Sequence, residues 1–236
     1  MIRAILRRIP VVKINGNYTA QGFEKDFAAK RLWRGKFWRL FTLILTKSDE
    51  RAARYIAARV QKARVKNLGE LKFELPVHDD LKTAGEALRV QINRQVLTIA
   101  SSVEAEAEEE ALFETLAQMK SELAQMPLVI WAPRSPQRFE NISENARKKG
   151  WVIQKRSTIF DVQTSNTPDL SDCEILVTDA LDEMDFNYAA SHITFVGATL
   201  ADHGGHNIIE ALALQRPVVT GSSLWGITYP GMELGH

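Results

Sequence analysis

The sequence predicts an α/β fold of the doubly wound, parallel type. Short apolar runs such as residues 128–131 and 175–177 lack polar alternation, which is typical of strands buried on both faces. Stretches with helical spacing separate these runs, and this alternation favours a parallel sheet with helices on both faces. The 236 residues, 45% of them hydrophobic, suffice for one large domain or two modest ones.

The elements of the first part follow from its apolar runs and turn residues. Strands are predicted at residues 10–14, 40–45 and 65–68, the first of them ended by the turn Asn15-Gly16-Asn17. Helices are predicted over residues 19–37 and 49–62, and Ser48 has the side chain of an N-cap for the second. Residues 75–80 contain Pro76 and resemble a linker, so we divide the chain into domains 1–74 and 75–236.

The second part repeats the pattern over a longer stretch. Strands are predicted at residues 96–100, 128–131, 151–153, 175–177, 193–196 and 218–219. Helices are predicted at residues 79–91, 103–126, 136–149 and 208–214. In the third of these helices Ser135 and Pro136 suit the N-cap and first-turn positions, and Gly150 suits the position after the C-cap.

Charge is unevenly distributed along the chain. The net charge is +1, but residues 1–66 hold 17 Lys and Arg against four Asp and Glu, which leaves −12 for the remainder. Such a basic first part favours an anionic partner, although two solvated faces of opposite sign are an equal alternative. The single cysteine excludes an internal disulfide framework, and no apolar run is long enough for a transmembrane helix.

One basic segment also carries aromatic side chains. It comprises Lys30, Arg31, Trp33, Arg34, Lys36, Trp38 and Arg39. Tryptophan and basic residues together suit a membrane surface with anionic headgroups, and they also suit single-stranded nucleic acid. The alternative is an amphipathic helix whose aromatic residues dock on the core.

The strongest ligand signal is a strand, a glycine-rich turn and a helix start. The apolar run 193–196 leads to Gly204, Gly205, His206 and Asn207, and Glu210 follows in the predicted helix. A helix start with glycines offers unpaired backbone N–H groups to phosphate, and a carboxylate can accept hydrogen bonds from two ribose hydroxyls. The pattern therefore indicates a nucleotide site. Instead of binding ribose, Glu210 could be an exposed acid on a helix surface. Instead of contacting phosphate, His206 could hydrogen-bond the backbone and stabilise the loop.

Two further loops follow predicted strands and can join this site. The first contains Pro133 and Arg134, whose guanidinium suits a phosphate or a surface ion pair. The second runs from Thr178 to Glu183, and there an ordinary helix start is favoured over a ligand role for Asp179 and Glu183. We expect the three loops to come from successive strands and to converge. The lone cysteine and five histidines show no metal-ligand spacing.

These motifs together resemble the bacterial 3-deoxy-D-manno-octulosonic acid (Kdo) transferase family. Residues 204–210 match its Gly-Gly-His-Asn-x-x-Glu run, and residues 133–139 resemble its Pro-Arg-His-Pro-Glu-Arg-Phe loop. Residues 179–184 stand where the family has Asp-Thr-Met-Gly-Glu-Leu. Residues 69–74 resemble Gly-Asn-Leu-Lys-Phe-Asp, and residues 101–104 resemble Ser-Thr-His-Glu.

The resemblance implies a GT-B-type glycosyltransferase that moves Kdo from CMP-Kdo to the lipid A precursor in lipopolysaccharide biosynthesis. It implies a Rossmann-like donor domain at residues 75–236, incomplete at its C-terminus, and the remnant of an acceptor-side domain at residues 1–74. It further implies no metal or other cofactor, no nucleic acid partner, and a place on the cytoplasmic face of the inner membrane. The implied donor-site residues are Pro133, Arg134, Leu181, Asp182, Glu183, Gly204, Gly205, His206, Asn207 and Glu210.

The chain also departs from the family pattern. Members of the family are longer, and their catalytic base is a glutamate in a preceding N-terminal part, for which no residue of this chain is a match. We therefore expect this chain alone not to catalyse transfer. Asp182 replaces a family glycine, and Ser135 replaces a histidine. These changes leave two alternatives: a transferase for another nucleotide sugar, or a non-catalytic product that binds a lipid surface.

Overall fold

A computed structural model describes residues 3–4, 7–28, 36–103, 106–159 and 168–227. The chain divides into two compact units, Met1–Leu75 and Pro76–His236, one residue from the boundary predicted above. Each unit is built on its own parallel sheet.

The first unit has a three-stranded parallel sheet with the order β1-β2-β3. Its elements are β1 (Val12–Gly16), α1 (Ala20–Ala28), β2 (Leu43–Thr46), α2 (Asp49–Ala57) and β3 (Val65–Asn67). Short 3-10 turns cover Lys62–Arg64 and Leu71–Glu74, and residues 36–38 are helical. The alternation of strand and helix is as predicted, although several boundaries differ.

Two of those differences have local causes. The predicted turn at Asn15 and Gly16 is wrong, because β1 continues through both and Gly16 pairs with Thr46 of β2. The Ser48 cap is confirmed: its hydroxyl accepts a hydrogen bond from the Arg51 N–H at 3.3 Å. Helix α2 nevertheless ends at Ala57, five residues early, since the chain leaves the helical conformation at Arg59, whose φ is 66°.

Aromatic side chains form the core of the first unit. Tyr55 is fully buried, and the ring of Tyr18 lies 5.2 Å from it. Trp38 meets Tyr55 edge to face at 5.2 Å and lies 5.9 Å from Phe41. Such edge-to-face and tilted pairs are the favoured aromatic arrangements. Trp38 therefore packs against the core, as the docked-helix alternative for the basic segment predicted.

A charged cluster lies where the three strands of the first unit end. Glu70 follows β3 and is 5% exposed. Its carboxylate accepts hydrogen bonds from Lys47 Nζ at 2.8 Å and from Asn15 Nδ2 at 2.9 Å. Burial alone would raise the pKa of Glu70, but these two donors outweigh it and hold that pKa below its usual range. Side chains from three successive strand ends thus meet in this cluster, where Lys47 supplies the charge that balances the buried acid and Asn15 adds a neutral hydrogen bond.

The second unit has a six-stranded parallel sheet with the order β6-β7-β5-β4-β8-β9. Its strands are β4 (Val96–Ser102), β5 (Leu128–Pro133), β6 (Ile153–Lys155), β7 (Ile175–Val177), β8 (Ile193–Val196) and β9 (Val218–Val219). Its helices are α3 (Asp79–Ile92), α4 (Glu106–Glu122), α5 (Gln137–Lys148), α6 (Arg156–Ile159), α7 (Met184–Ala190) and α8 (Ile209–Ala213). The predicted strand bounds of β7, β8 and β9 are confirmed to the residue.

Helices cover both faces of this sheet. Alternate residues of β5 point to opposite sides: Val129 and Trp131 join a cluster with Phe113 of α4 and Ile142 of α5. On the other face, residues of β5 pack with side chains of α3 and α7, namely Leu128, Ile130, Leu88, Phe186 and Ala190. The doubly wound α/β fold predicted from the apolar runs is confirmed.

Two residues of this unit, Gly85 and Cys173, are tightly enclosed. Gly85 of α3 lies so close to α7 that a Cβ there would stand 2.4 Å from the Phe186 carbonyl oxygen. Cys173 precedes β7 and is fully buried, and that burial raises the pKa of its thiol to about 11.

The strand order places a topological switch point between β4 and β8. The chain builds β5, β6 and β7 on one side of β4 and then crosses to add β8 and β9 on the other. The three predicted site loops therefore do not follow successive strands, because β4 separates β8 from β5. At about 4.8 Å per strand step, the end of β5 lies about 10 Å from that of β8, and the end of β7 about 14 Å.

Candidate functional site at the carboxyl edge of the second sheet

The loop after β8 begins in tight contact with the end of β4. Gly197 donates its N–H to the Ala100 carbonyl at 2.8 Å. A Cβ on Gly197 would lie 2.7 Å from Ser102 Cα, so only glycine fits there. Ser101 and Ala198, one on each side of this contact, both have positive φ, at 55° and 63°. Left-handed backbone at residues other than glycine is strained, and such strain collects at functional sites.

A buried glutamate from α4 closes this loop. Glu108 is 1% exposed, and its Oε1 accepts the Ala198 N–H at 2.9 Å. Its Oε2 accepts the N–H groups of Thr199 and Leu200 at 3.1 and 3.2 Å. Three successive backbone N–H groups thus converge on one carboxylate, which is the geometry of an anion-binding nest.

The glycine turn packs against a later segment of the chain. Gly204 and Gly205 both have φ of 81°. The Gly204 N–H donates to Ser223 Oγ at 3.1 Å, and the Gly205 N–H donates to the Ala198 carbonyl at 2.7 Å. A Cβ on Gly204 would meet the ring of Trp225 at 2.6 Å. The positive φ that favours glycine is present at both positions, and both N–H groups have partners within the unit instead of being left for a ligand.

The helix after the turn is also shorter than predicted. Helix α8 has only five residues, Ile209–Ala213, instead of residues 208–214. Asn207 serves both the helix and Glu210: its Oδ1 accepts the Ile209 N–H at 3.3 Å, and its Nδ2 donates to Glu210 Oε1 at 2.6 Å. This hydrogen bond orients the Glu210 side chain, which is half-buried. His206, four residues earlier in the chain, is also half-buried.

The loop after β5 presents Arg134 at the same edge of the sheet. Pro133 is buried and pairs with Ser102 of β4, and the Arg134 N–H donates to the Ser102 carbonyl at 3.0 Å. The Arg134 side chain is exposed. Within the ranges that the structure describes, no carboxylate forms an ion pair with it. The backbone of Arg134 is thus fixed beside the switch point, while its guanidinium faces solvent.

The loop after β7 is largely engaged in its own unit. Asp179 accepts hydrogen bonds from the Ser157 N–H and hydroxyl at 2.9 and 2.5 Å, and Glu183 forms an ion pair with Arg156. Both acids are thus engaged within the unit, although only Glu183, the N-cap residue of α7, stands at a helix start, because Asp179 precedes that helix by five residues. Leu181 is 63% exposed, and Asp182 is exposed with a φ of 60°, a conformation that suits the glycine found in the resembling family.

A histidine and an aspartate meet near this loop. His78 Nδ1 lies 2.8 Å from Asp185 Oδ2, and the His78 N–H donates to the same oxygen at 2.9 Å. The hydrogen bond and negative charge of Asp185 raise the pKa of His78, with smaller contributions from Asp80 and Asp182. The side chain of His78 remains exposed.

The basic segment is described only in part. Lys30, Arg31, Trp33 and Arg34 lie outside the described residues. Lys36 and Arg39 are exposed, whereas Trp38 is half-buried in the aromatic core and does not face solvent as a membrane anchor would. None of the described helices is both long and apolar enough to cross a membrane. In the same ranges no three His, Cys, Asp or Glu side chains are grouped to hold a metal ion.

Glu108 is the site residue that sequence reasoning missed. Glu108 lies within the helix predicted at residues 103–126, and none of the sequence motifs assigns it a role. Glu108 is spaced four and eight residues from Leu112 and Leu116, which are both buried in the core. An acid in the apolar stripe of a helix is a signal that it faces inward, and buried carboxylates need several hydrogen-bond donors.

The fold and the carboxyl edge of the six-stranded sheet indicate the class of the protein. A parallel sheet in each unit, the doubly wound arrangement of the second unit and a glycine turn at its switch point are consistent with the Rossmann-like architecture of GT-B-type glycosyltransferases. Residues 1–75 match the family described as 3-Deoxy-D-manno-octulosonic-acid transferase (kdotransferase).

Sequence relatives and a solved structure agree with this match. The chain is 28% identical to the 3-deoxy-D-manno-octulosonic acid transferase of Haemophilus influenzae over 219 residues, 92% of this chain and 48% of the relative. It is 32% identical to that of Bordetella pertussis over 181 residues, 75% of this chain and 40% of the relative. The C-terminal CMP-Kdo binding domain of WaaA from Acinetobacter baumannii superposes with a TM-score of 0.56 at 29% identity, covering 66% of this chain and 78% of the domain.

The chain is therefore related to the Kdo transferases, as the motifs indicated. It spans about half the length, or less, of the two transferases compared above.

Proposed function

We propose that the second unit binds CMP-Kdo and supplies the donor side of Kdo transfer to the lipid A precursor. The observation that carries the proposal is the 29% identity to a CMP-Kdo binding domain, combined with the glycine turn at the switch point of the sheet. Ligands of open parallel sheets bind outside the carboxyl ends of the strands at such a point.

Two side chains at this edge have the chemistry for a nucleotide. The exposed guanidinium of Arg134 suits the CMP phosphate, since arginine forms bidentate hydrogen bonds to phosphate. Glu210 suits the ribose hydroxyls: among the described residues only Asn207 donates to its carboxylate, and it does so to Oε1. The remaining proposed donor-site residues are Pro133, Leu181, Asp182, Glu183, Gly204, Gly205, His206 and Asn207.

The structure changes the expected source of phosphate binding. Because the N–H groups of Gly204 and Gly205 are paired and α8 has only five residues, a helix start contributes little here. Arg134 then provides the main positive charge of the proposed site. A metal ion is not part of the proposal, and we expect CMP affinity to be unchanged by a chelator.

Titration calorimetry with CMP tests the donor proposal on the purified chain. Arg134→Ala should weaken CMP binding about tenfold or more, since hydrogen bonds to charged groups contribute about 1.5–3 kcal/mol. Glu210→Gln should weaken it to a similar extent. The matched controls are Arg147→Ala and Glu114→Ala on exposed helix surfaces, which should bind as the unmodified chain does. Absence of CMP binding by the unmodified chain would refute the proposal.

A second candidate is a transferase for another nucleotide sugar. It is favoured by Asp182, an exposed carboxylate at a position whose φ of 60° suits glycine. At short range this carboxylate would repel a phosphate by about 1 kcal/mol even in water. Parallel titrations with CMP and UDP distinguish the two: binding of UDP without binding of CMP would replace the Kdo proposal.

We also propose that the basic first part associates with the cytoplasmic face of the inner membrane. The support is the excess of 17 Lys and Arg over four acids in residues 1–66, including exposed Lys36 and Arg39. Attraction of this kind to anionic lipid is screened by salt. Flotation with anionic liposomes should show binding that falls as salt rises, and neutral liposomes are the control. Equal binding to both would contradict an electrostatic surface.

A further inference from the structure

The carboxylate of Glu108 occupies a position where a ligand anion could otherwise bind. Its two oxygens take the N–H groups of Ala198, Thr199 and Leu200, and the Val103 N–H lies 3.5 Å from Oε1. Glu108 also lies in the first turn of α4, where the helix dipole favours negative charge. Among the described residues no lysine or arginine pairs with it, so backbone groups alone hold this buried charge.

The residues that Glu108 holds are the ones that support the glycine turn. Ala198 is kept at a φ of 63°, a conformation that alanine rarely adopts, and its carbonyl accepts the Gly205 N–H at 2.7 Å. Thr199 extends the connection, since its hydroxyl accepts the Gly221 N–H at 2.8 Å and its carbonyl accepts the Ser223 N–H at 2.9 Å. Ser223 in turn receives the Gly204 N–H. The path from Glu108 to both glycines is therefore continuous.

We propose that Glu108 is a positioning residue of the donor site: its carboxylate fills the backbone anion nest at residues 198–200 and thereby sets the glycine turn. The donor phosphate is consequently bound by groups other than these three N–H donors. The effect on the nucleotide rests on the donor function proposed above, whereas the filling of the nest does not.

Removal and chemical replacement of the carboxylate test the nest directly. In Glu108→Ala, amide hydrogen exchange in a peptide covering residues 197–207 should accelerate about tenfold or more, because protection depends on these hydrogen bonds. Formate should enter the vacated nest and restore most of the protection, whereas chloride at equal ionic strength should not. Glu114→Ala, an exposed acid on the same helix, is the matched control and should match the unmodified chain with or without formate.

Unchanged exchange in Glu108→Ala, or acceleration that formate does not reverse, would overturn the proposal. Should Glu108→Ala fail to fold, Glu108→Gln takes its place, because an amide keeps the size of the side chain but has only one oxygen for three donors. Exchange in the Gln variant should then rise most at residues 198–200. Equal exchange there in the Gln variant and the unmodified chain would refute the role of the charge.

CMP titrations add the nucleotide readout. The dissociation constant of Glu108→Ala should rise about tenfold, equivalent to about 1.4 kcal/mol, and formate should restore it. Equal or tighter CMP binding would refute the positioning role, the tighter case meaning that the phosphate enters the nest. If the unmodified chain does not bind CMP, the donor proposal fails alone, because the exchange measurements still decide whether Glu108 fills the nest.

Discussion

Each of the two parallel sheets has a buried glutamate at its carboxyl edge, and the two glutamates are held by different kinds of hydrogen-bond donor. In the first unit Glu70 forms an ion pair with Lys47 and accepts a hydrogen bond from Asn15, and both side chains come from neighbouring strand ends. In the second unit Glu108 is held by backbone N–H groups of the loop after β8. The first arrangement binds three strand ends through a cation, whereas the second fixes the conformation of a loop. A buried acid can therefore stabilise a sheet or shape a site, depending on its donors.

Among the tests of this comparison, removal of the Lys47 charge should cause the largest loss of stability. Lys47→Met leaves Glu70 buried with only neutral donors, Asn15 and the backbone of Lys72, and loss of one partner of a buried pair costs about 3–5 kcal/mol. We expect the free energy of unfolding of the first unit, measured by urea denaturation, to fall by about 3 kcal/mol.

Two further variants make that test specific. Lys62→Met removes an exposed lysine of the same unit and should change little. The double variant Lys47→Met, Glu70→Gln should recover much of the loss, because no buried charge remains. If Lys47→Met is as stable as Lys62→Met, the ion pair does not stabilise the edge.

Substitution of one glycine at each edge distinguishes the cost of backbone strain from the cost of a steric clash. Gly69 has a φ of 85° with open space around a Cβ, while Gly204 has a φ of 81° with Trp225 at 2.6 Å. Alanine at positive φ costs about 1–2 kcal/mol. Gly69→Ala should therefore destabilise the first unit by about 1 kcal/mol, and Gly204→Ala should destabilise the second by about 2 kcal/mol or more. Urea denaturation measures both, and equal losses would contradict a packing role for the turn.

Opposite pH responses are the smallest expected effect. The lowered pKa of Glu70 gives stability that is present above its unfolded pKa of about 4.3 and is lost as pH falls through the folded value. The raised pKa of His78 gives stability that is present below about pH 6.5 and is lost as pH rises through the folded value. Melting temperatures across pH should lose the acid response in Glu70→Gln and the alkaline response in His78→Gln. Variants that keep either response would refute the assigned group.

Local sequence signals predicted most of the fold. The run 175–177 is apolar throughout and the run 193–196 is apolar except for Thr194, and the structure has strands at both. Ser48 and Gly150 occupy the cap positions that their side chains and backbone preferences favour. By contrast, Pro136 is itself the N-cap of α5 rather than its first residue.

What sequence reasoning missed depends on distant contacts. The insertion of β4 between β5 and β8 follows from the order of strands in space, which no local pattern contains. The two glycines of the turn were correctly selected as special, but their conformation is required by a segment about 20 residues later. Glu108 was missed because its donors lie 90 to 92 residues further along the chain.

The buried cysteine gives the chain a practical property. Cys173 is the single cysteine, it is fully buried, and its thiol with a pKa of about 11 has little thiolate at neutral pH. A cysteine introduced on the surface of the folded chain would therefore be the one fast-reacting thiol. Spin labels or fluorophores could be attached to one introduced cysteine in each unit without replacing Cys173. The distance between the units, with and without a nucleotide, then becomes directly measurable in solution.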